Sequence, residues 1–264
     1  MPLECGVAQR ELVFQDGLGL AGYGPFAGQG CHAGAAEEQH QLHARVMYLG
    51  SGQARVFIAV VDLWAASLYV QQCVVDRLNE RASAAAEMAS IEDHQFLMIG
   101  SHTHSAPGHF SKNRLYDAFA QSPGGFEDSV ADVIIDALVE AGLEAYTSRR
   151  GARAAVVSTM LQGVGSNRSF EAFLRNFGRG NWQEQWASRV GAPLIGTGER
   201  GLAIDPRLHT LWVFEAETDQ PIGTFATVGC HNAALGREVG LYHPDLAGYA
   251  CVGVKAAAGA PWAA

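Results

Sequence analysis

The sequence predicts an α/β fold: mixed, largely antiparallel β-sheets packed against flanking helices. Two strand pairs and two helical stripes carry that expectation. Arg45–Leu49 and Arg55–Leu63 are apolar, strand-length runs on either side of Gly50-Ser-Gly52, a hairpin-turn composition. Leu208–Glu215 and Ile222–Cys230 repeat the arrangement around Glu217-Thr-Asp-Gln-Pro221. Ser67–Met88 places Leu68, Val70, Val74, Val75 and Leu78 at helical spacing, and a stretch from Glu127 does the same with Val130, Val133, Ile134, Ala137, Leu138 and Ala141. Hairpins impose antiparallel pairing and apolar helix stripes need a face to cover, which favours layered sheets over a barrel.

The remaining elements follow in chain order. Residues 18–36 are rich in Gly and Ala, with Gly22-Tyr-Gly-Pro25 as a turn, and are expected to form a loop. Phe96-Leu-Met-Ile-Gly100 is an apolar run that fits a buried strand, and Ala154–Leu161 is another strand, closed by a turn at Gly163–Asn167. Residues 176–203 are glycine-rich and polar, with Trp182 and Trp186, and are expected to form one long loop. Such a loop inside a compact domain is usually functional, for instance as a lid. The whole chain, 1–264, is expected to be one domain.

Composition bounds the class. With 264 residues, 48% apolar and 17% charged, the chain can bury a sizeable core and is not disordered. A net charge of −9 with no basic patch argues against nucleic acid as a partner. The longest apolar runs, such as Val56–Val61, are too short for a transmembrane segment. Met1-Pro-Leu-Glu-Cys-Gly6 has no basic stretch followed by an apolar one, so no signal peptide is seen and a cytoplasmic location is expected. Cys5, Cys31, Cys73, Cys230 and Cys251 lack metal-type spacing and are expected to be reduced, small apolar residues.

The candidate chemistry sits in Ser101-His-Thr-His-Ser105. Side chains alternate along a strand, so His102 and His104 should point the same way where the strand leaves the sheet. Two neutral imidazoles on a rigid frame suit a catalytic metal with room for water beside it. A bare His-x-His recurs by chance, however, and also fits ordinary polar residues at a strand-to-turn junction. His231 follows the strand Ile222–Cys230 in the same manner, and two strand-end histidines converge if the strand ends share an edge. Arg168, in Gly165-Ser-Asn-Arg-Ser169, is placed to offer a guanidinium to a substrate oxygen or a developing negative charge. Asp245 lies near a helix start, where capping is its ordinary role. Cys230 and His231 are neighbours that face opposite ways on a strand, and Ser105 has no Gly-x-Ser-x-Gly elbow around it, so neither supplies a nucleophile pair.

Taken in order, these segments resemble the amino-terminal part of the neutral/alkaline non-lysosomal ceramidase family. The matching pieces are Gly22-Tyr-Gly24, Leu42-His-Ala-Arg45, Val56–Leu63, Ser101-His-Thr-His-Ser105 with Pro107-Gly108, Asn167-Arg168-Ser169, His231, and Asp245 with Gly248-Tyr249. The resemblance implies zinc as cofactor, with His102 and His231 as ligands, His104 lining the same site and Arg168 contacting substrate. It implies hydrolysis of the N-acyl amide of a sphingolipid, releasing a fatty acid. The family's pattern has Gly where this chain has Ala106 and again where it has His109. The family's further zinc ligands, a Glu and a Tyr, lie downstream of the matched segment. That implies an incomplete catalytic domain with a missing carboxy-terminal half.

Two other readings stand beside this one. Metallo-β-lactamase-like enzymes follow His-x-His with Asp-His, which His102, His104 and His109 superficially imitate, but Ala106 occupies the Asp position. Amidohydrolase barrels carry His-x-His on their first strand, whereas two strands and a helix precede it here. A non-enzymatic half-domain or partner-binding module is the third possibility.

Overall fold

The computed structural model describes residues 2–25, 40–85, 88–161 and 163–264. Its strands are β1 (Leu3–Glu11), β2 (His43–Ser51), β3 (Ala54–Val61), β4 (Phe96–Gly100), β5 (Arg150–Met160), β6 (Arg207–Glu215) and β7 (Pro221–Val228). Its helices are α1 (Leu68–Ala85), α2 (Arg114–Phe119), α3 (Asp128–Thr147), α4 (Phe170–Phe177), α5 (Trp182–Val190), α6 (Gly198–Leu202) and α7 (Asp245–Ala258). The strands are ordered β4-β3-β2-β1-β5-β6-β7 in one mixed, mostly antiparallel sheet, in agreement with the predicted class.

The chain divides into two compact units. The first comprises Met1–Arg153, Val213–Thr224 and Asn232–Ala264. Its β2–β3 hairpin is the predicted one, with Gly50 opposite Arg55. β1, at the centre of the sheet, pairs antiparallel with both β2 and the start of β5. Its sequence carries little strand pattern, because Gly6 interrupts it. The glycine is required: a Cβ there would lie 2.0 Å from the Ala145 carbonyl oxygen of α3. α1 and α3 cover one face of this sheet, and their predicted stripes pack against Ala44, Val46 and Tyr48 of β2 and Phe57, Ala59 and Val61 of β3. That alternation on β2 and β3 is the period-2 pattern of a sheet with one face on a helical layer.

β4 pairs parallel with β3, with Val61 opposite Gly100, and α1 forms the crossover between them. Parallel pairing brings the two strands' carboxyl ends to the same edge of the sheet, where open α/β sheets form their sites. Ser101 N–H donates to the Val61 carbonyl and His102 N–H to the Leu63 carbonyl, carrying the pairing past the last strand residue. At that edge Asp62 is fully buried and pairs with Arg45 at 2.8 Å. Burial is the largest single influence on the Arg45 pKa and would lower it; attraction to Asp62 and Cys251 and the Asp62 hydrogen bond together outweigh it, and the net direction is up.

The second unit comprises Ala154–Trp212 and Phe225–His231. Here the structure corrects the expected long loop at 176–203: α5 and α6 lie within it, and α4 ends at its start. Phe170, Leu174, Trp182 and Ala203 form a small buried cluster, with Phe173, Phe177 and Trp186 packed against it. Trp186 Nε1–H donates to the Ile204 carbonyl at 3.0 Å. These helices are short and separated by glycines, so their apolar content sits in a few aromatic residues rather than in a long stripe.

Of the predicted loop at 18–36, residues 18–25 form turns and isolated bridges such as Leu20 with Pro107, and 26–36 lie outside the described residues, as does Cys31. Cys5, Cys73, Cys230 and Cys251 are free thiols. Burial pushes the Cys5 thiol up to about 12 and raises that of Cys251. Among the described residues, no helix is long and apolar enough to cross a membrane.

Candidate metal centre

β4 stops at Gly100, so His102 and His104 stand beyond the strand, and alternation is not what aligns them. His102 instead has φ +67°, in the left-handed region that non-glycine residues rarely adopt. Strain of this kind persists where surrounding contacts hold it, and it clusters at functional sites. One such contact is the His102 N–H bond to Leu63. Another joins His102 Nδ1 to the Trp64 carbonyl at 2.5 Å. A carbonyl only accepts, so the proton sits on Nδ1 and Nε2 carries the ring's lone pair. Metal-binding histidines are oriented in this way.

His104 is buried, and its ring meets that of His102 edge-on with centroids 4.9 Å apart. The two Nε2 atoms are 3.4 Å apart. On its other side the ring meets Tyr23 edge-on at 4.6 Å, and Tyr23 Oη–H donates to the Leu235 carbonyl at 2.7 Å. Gly22 lies directly against the imidazole: at φ +114°, a Cβ there would come within 2.6 Å of His104 Cγ. The Gly22-Tyr-Gly24 segment thus clamps His104, a role for which its sequence gives no pattern-level signal.

The backbone around His104 is pinned by His243. Thr103 Oγ1–H donates to the His243 carbonyl at 2.7 Å, and His243 N–H donates to the Ser105 carbonyl at 2.7 Å. His243 Nδ1 accepts from the Asp245 N–H at 2.8 Å. Burial, and then the charge of His40, push the His243 pKa down. Asp245 does more than serve the first turn of α7. Its carboxylate accepts from Leu246 N at 2.7 Å and from Ala234 N and Leu235 N at 3.1 Å each, which ties down the segment after His231. Asn232 is fixed in the same unit, donating to the Pro244 carbonyl and accepting from Ala247 N.

His231 is covalently next to Asn232, so its backbone position follows from that anchorage. Within the first unit, His102 and His104 bring two ligating nitrogens to 3.4 Å. Imidazoles, one with its tautomer set by the Trp64 carbonyl, are donors that fit a zinc ion. His231 closes the Phe225–His231 segment of the second unit, and Arg168 is exposed in the turn before α4. His109 is buried, and its Nδ1 lies 3.1 Å from the Gly125 carbonyl. That removes the third histidine of the metallo-β-lactamase-like pattern.

A family model described as neutral/alkaline non-lysosomal ceramidase, N-terminal, matches residues 17–260. The chain belongs to the neutral/alkaline ceramidase family. A solved neutral ceramidase from Pseudomonas aeruginosa shares the fold with a TM-score of 0.79 at 22% identity, over 100% of this chain and 38% of that one. A ceramidase complexed with C2 superposes with a TM-score of 0.76 at 21% identity, over 96% of this chain and 35% of that one. The chain therefore spans less than two-fifths of the solved ceramidases it matches. No curated protein matches it in sequence.

Proposed function

We propose that this chain carries the zinc-binding part of a hydrolase that cleaves the N-acyl amide bond of a ceramide-like lipid. The His102–His104 pair, with the His102 proton placed by the Trp64 carbonyl, is the single observation that carries the reading, and ceramidase family membership supports the substrate class.

In this proposal His102 and His231 hold the metal, and the Trp64 carbonyl keeps the His102 proton on Nδ1. Zinc bound there supplies Lewis-acid polarisation of the amide carbonyl and lowers the pKa of water. His104, with its Nε2 3.4 Å from that of His102, gives or takes a proton beside the reacting amide. The clamp of Gly22 and Tyr23 holds the ring in register for that transfer. Arg168 offers a charge-assisted hydrogen bond to a substrate oxygen.

The test is fatty-acid release from a fluorescent N-acylsphingosine by the zinc-loaded chain. We expect turnover, with kcat/KM reduced about 100-fold or more in His104→Gln and in Arg168→Ala, the scale of losing one acid–base or charge-stabilising group. Full zinc occupancy without any release would reject the hydrolase reading for this chain and favour the half-domain one.

A further inference from the structure

His243 is joined to the metal-binding loop by its backbone and to α7 by its ring. Thr103 Oγ1–H donates to the His243 carbonyl and His243 N–H to the Ser105 carbonyl, so both neighbours of His104 are held by one residue. Ser105 N–H closes the loop on Thr103 Oγ1 at 3.1 Å. On the other side, His243 Nδ1 accepts from Asp245 N–H at 2.8 Å. Asp245 has φ +57°, a left-handed conformation that a non-glycine residue keeps only where contacts hold it.

The same hydrogen bond leads back to His104 by a second route. Asp245 is buried, and its carboxylate accepts from Ala234 N and Leu235 N at 3.1 Å each. The Leu235 carbonyl accepts from Tyr23 Oη–H at 2.7 Å, and the Tyr23 ring meets that of His104 edge-on at 4.6 Å. His243 thus bears on His104 twice, through the flanking backbone and through the wall on which the ring packs. Contiguous packed groups with two discrete states are what carry coupling between positions in a protein.

The His243 ring accepts the Asp245 N–H only while uncharged. Imidazolium carries N–H on both nitrogens and turns one of them against that donor. The groups facing the ring are His40 before β2, Asp245 and Tyr249 of α7, and Asp62 after β3, which is paired with Arg45. Burial, and then His40, favour the uncharged ring and outweigh the two carboxylates. We propose that neutral His243 is a positioning residue for His104, and that a proton on His243 releases the metal-binding loop. This role rests on the placing of His104 at a metal centre, yet it is read out first in metal-free protein.

The test is amide hydrogen exchange of the metal-free chain at about pH 8 and about pH 5, on either side of histidine titration and corrected for intrinsic exchange rates. The wild type is compared with His243→Asn and His243→Leu. Asparagine offers Oδ1 in place of Nδ1, accepts an N–H two residues on, and does not titrate. We expect protection of the Ser105, Ala234, Leu235 and Asp245 amides to fall about 10-fold in the wild type at the lower pH, the scale of one lost hydrogen bond. His243→Asn should keep its protection at both pH values, and His243→Leu should be about 10-fold less protected at both. Unchanged exchange in α1 and α3 establishes that the variants fold. In zinc competition at about pH 8, His243→Asn should match the wild type and His243→Leu should bind about 10-fold more weakly. An acid response in His243→Asn equal to that of the wild type would assign the proton to another group and overturn the proposal. So would wild-type protection in His243→Leu; if that variant does not fold, the comparison with His243→Asn still decides. Absence of zinc binding in all three proteins would reject the metal centre and leave the exchange result standing.

Discussion

His102 combines two demands at one position, a ligand nitrogen and a left-handed backbone. An L-residue pays roughly 1–2 kcal/mol for that conformation, and glycine pays almost none. In metal-free protein, His102→Gly should therefore melt about 2–4 °C above His102→Ala. Equal melting temperatures would contradict the backbone assignment. Gly22 is the converse case, where the missing Cβ leaves room for the His104 ring. Gly22→Ala should weaken zinc binding about 10-fold, the lower end for a residue that orients a metal site. An unchanged zinc affinity in a calorimetric titration would show that the clamp is not needed. His102 and His104 were legible in the sequence as a pair, but for a different geometric reason. Strand periodicity implied that they align, whereas the chain leaves β4 at Gly100 and a single φ brings the rings together. A dihedral of that kind leaves no mark in a hydrophobic pattern.

At the scale of elements, the amino end of β2 and the carboxyl end of β3 are joined by a buried ion pair. Asp62 Oδ2 accepts from Arg45 Nη1 at 2.8 Å and from His43 N at 2.9 Å. Its Oδ1 is buried with no hydrogen-bond partner among the described residues. Removing one member of a buried pair leaves the other uncompensated, at a cost of about 3–5 kcal/mol. Asp62→Asn should lose stability on that scale in denaturant unfolding, and a loss under about 1 kcal/mol would show that Arg45 finds solvent instead. The β2–β3 hairpin, α1 and α3 were legible because each has one buried face and therefore a clean period. β1 was not, because its glycine answers to the α3 backbone rather than to the sheet. Nor were α5, whose Trp182 and Trp186 pack on Phe173 of α4, and α6, whose Leu202 packs against the same cluster, because these contacts come together only in three dimensions.

For the molecule as a whole, two histidines tie stability to pH. Burial lowers the pKa of His243, with His40 adding to the effect, and burial followed by Arg45 lowers that of His43. Each group binds its proton more readily unfolded than folded, so stability rises with pH across the interval between the two values. The contribution is complete above the unfolded value of about 6.5 and is lost as pH falls through the depressed folded values. Thermal melts should therefore drop between pH 7 and about 5.5, before most carboxylates titrate, and the drop should shrink in His243→Gln. A flat profile over that range would contradict it.

The central claim is that His102 and His231, far apart in sequence, hold one metal ion with His104 beside it. Zinc titration against a competing chelator tests this most directly, using the wild-type chain and the variants His102→Ala, His231→Ala and His104→Gln. The prediction is one tight zinc per chain, lost in the first two variants and weakened about 10–100-fold in the third, as expected for a residue beside the metal. Zinc bound with the same affinity in His102→Ala and His231→Ala, or bound by none of the four proteins, would contradict it.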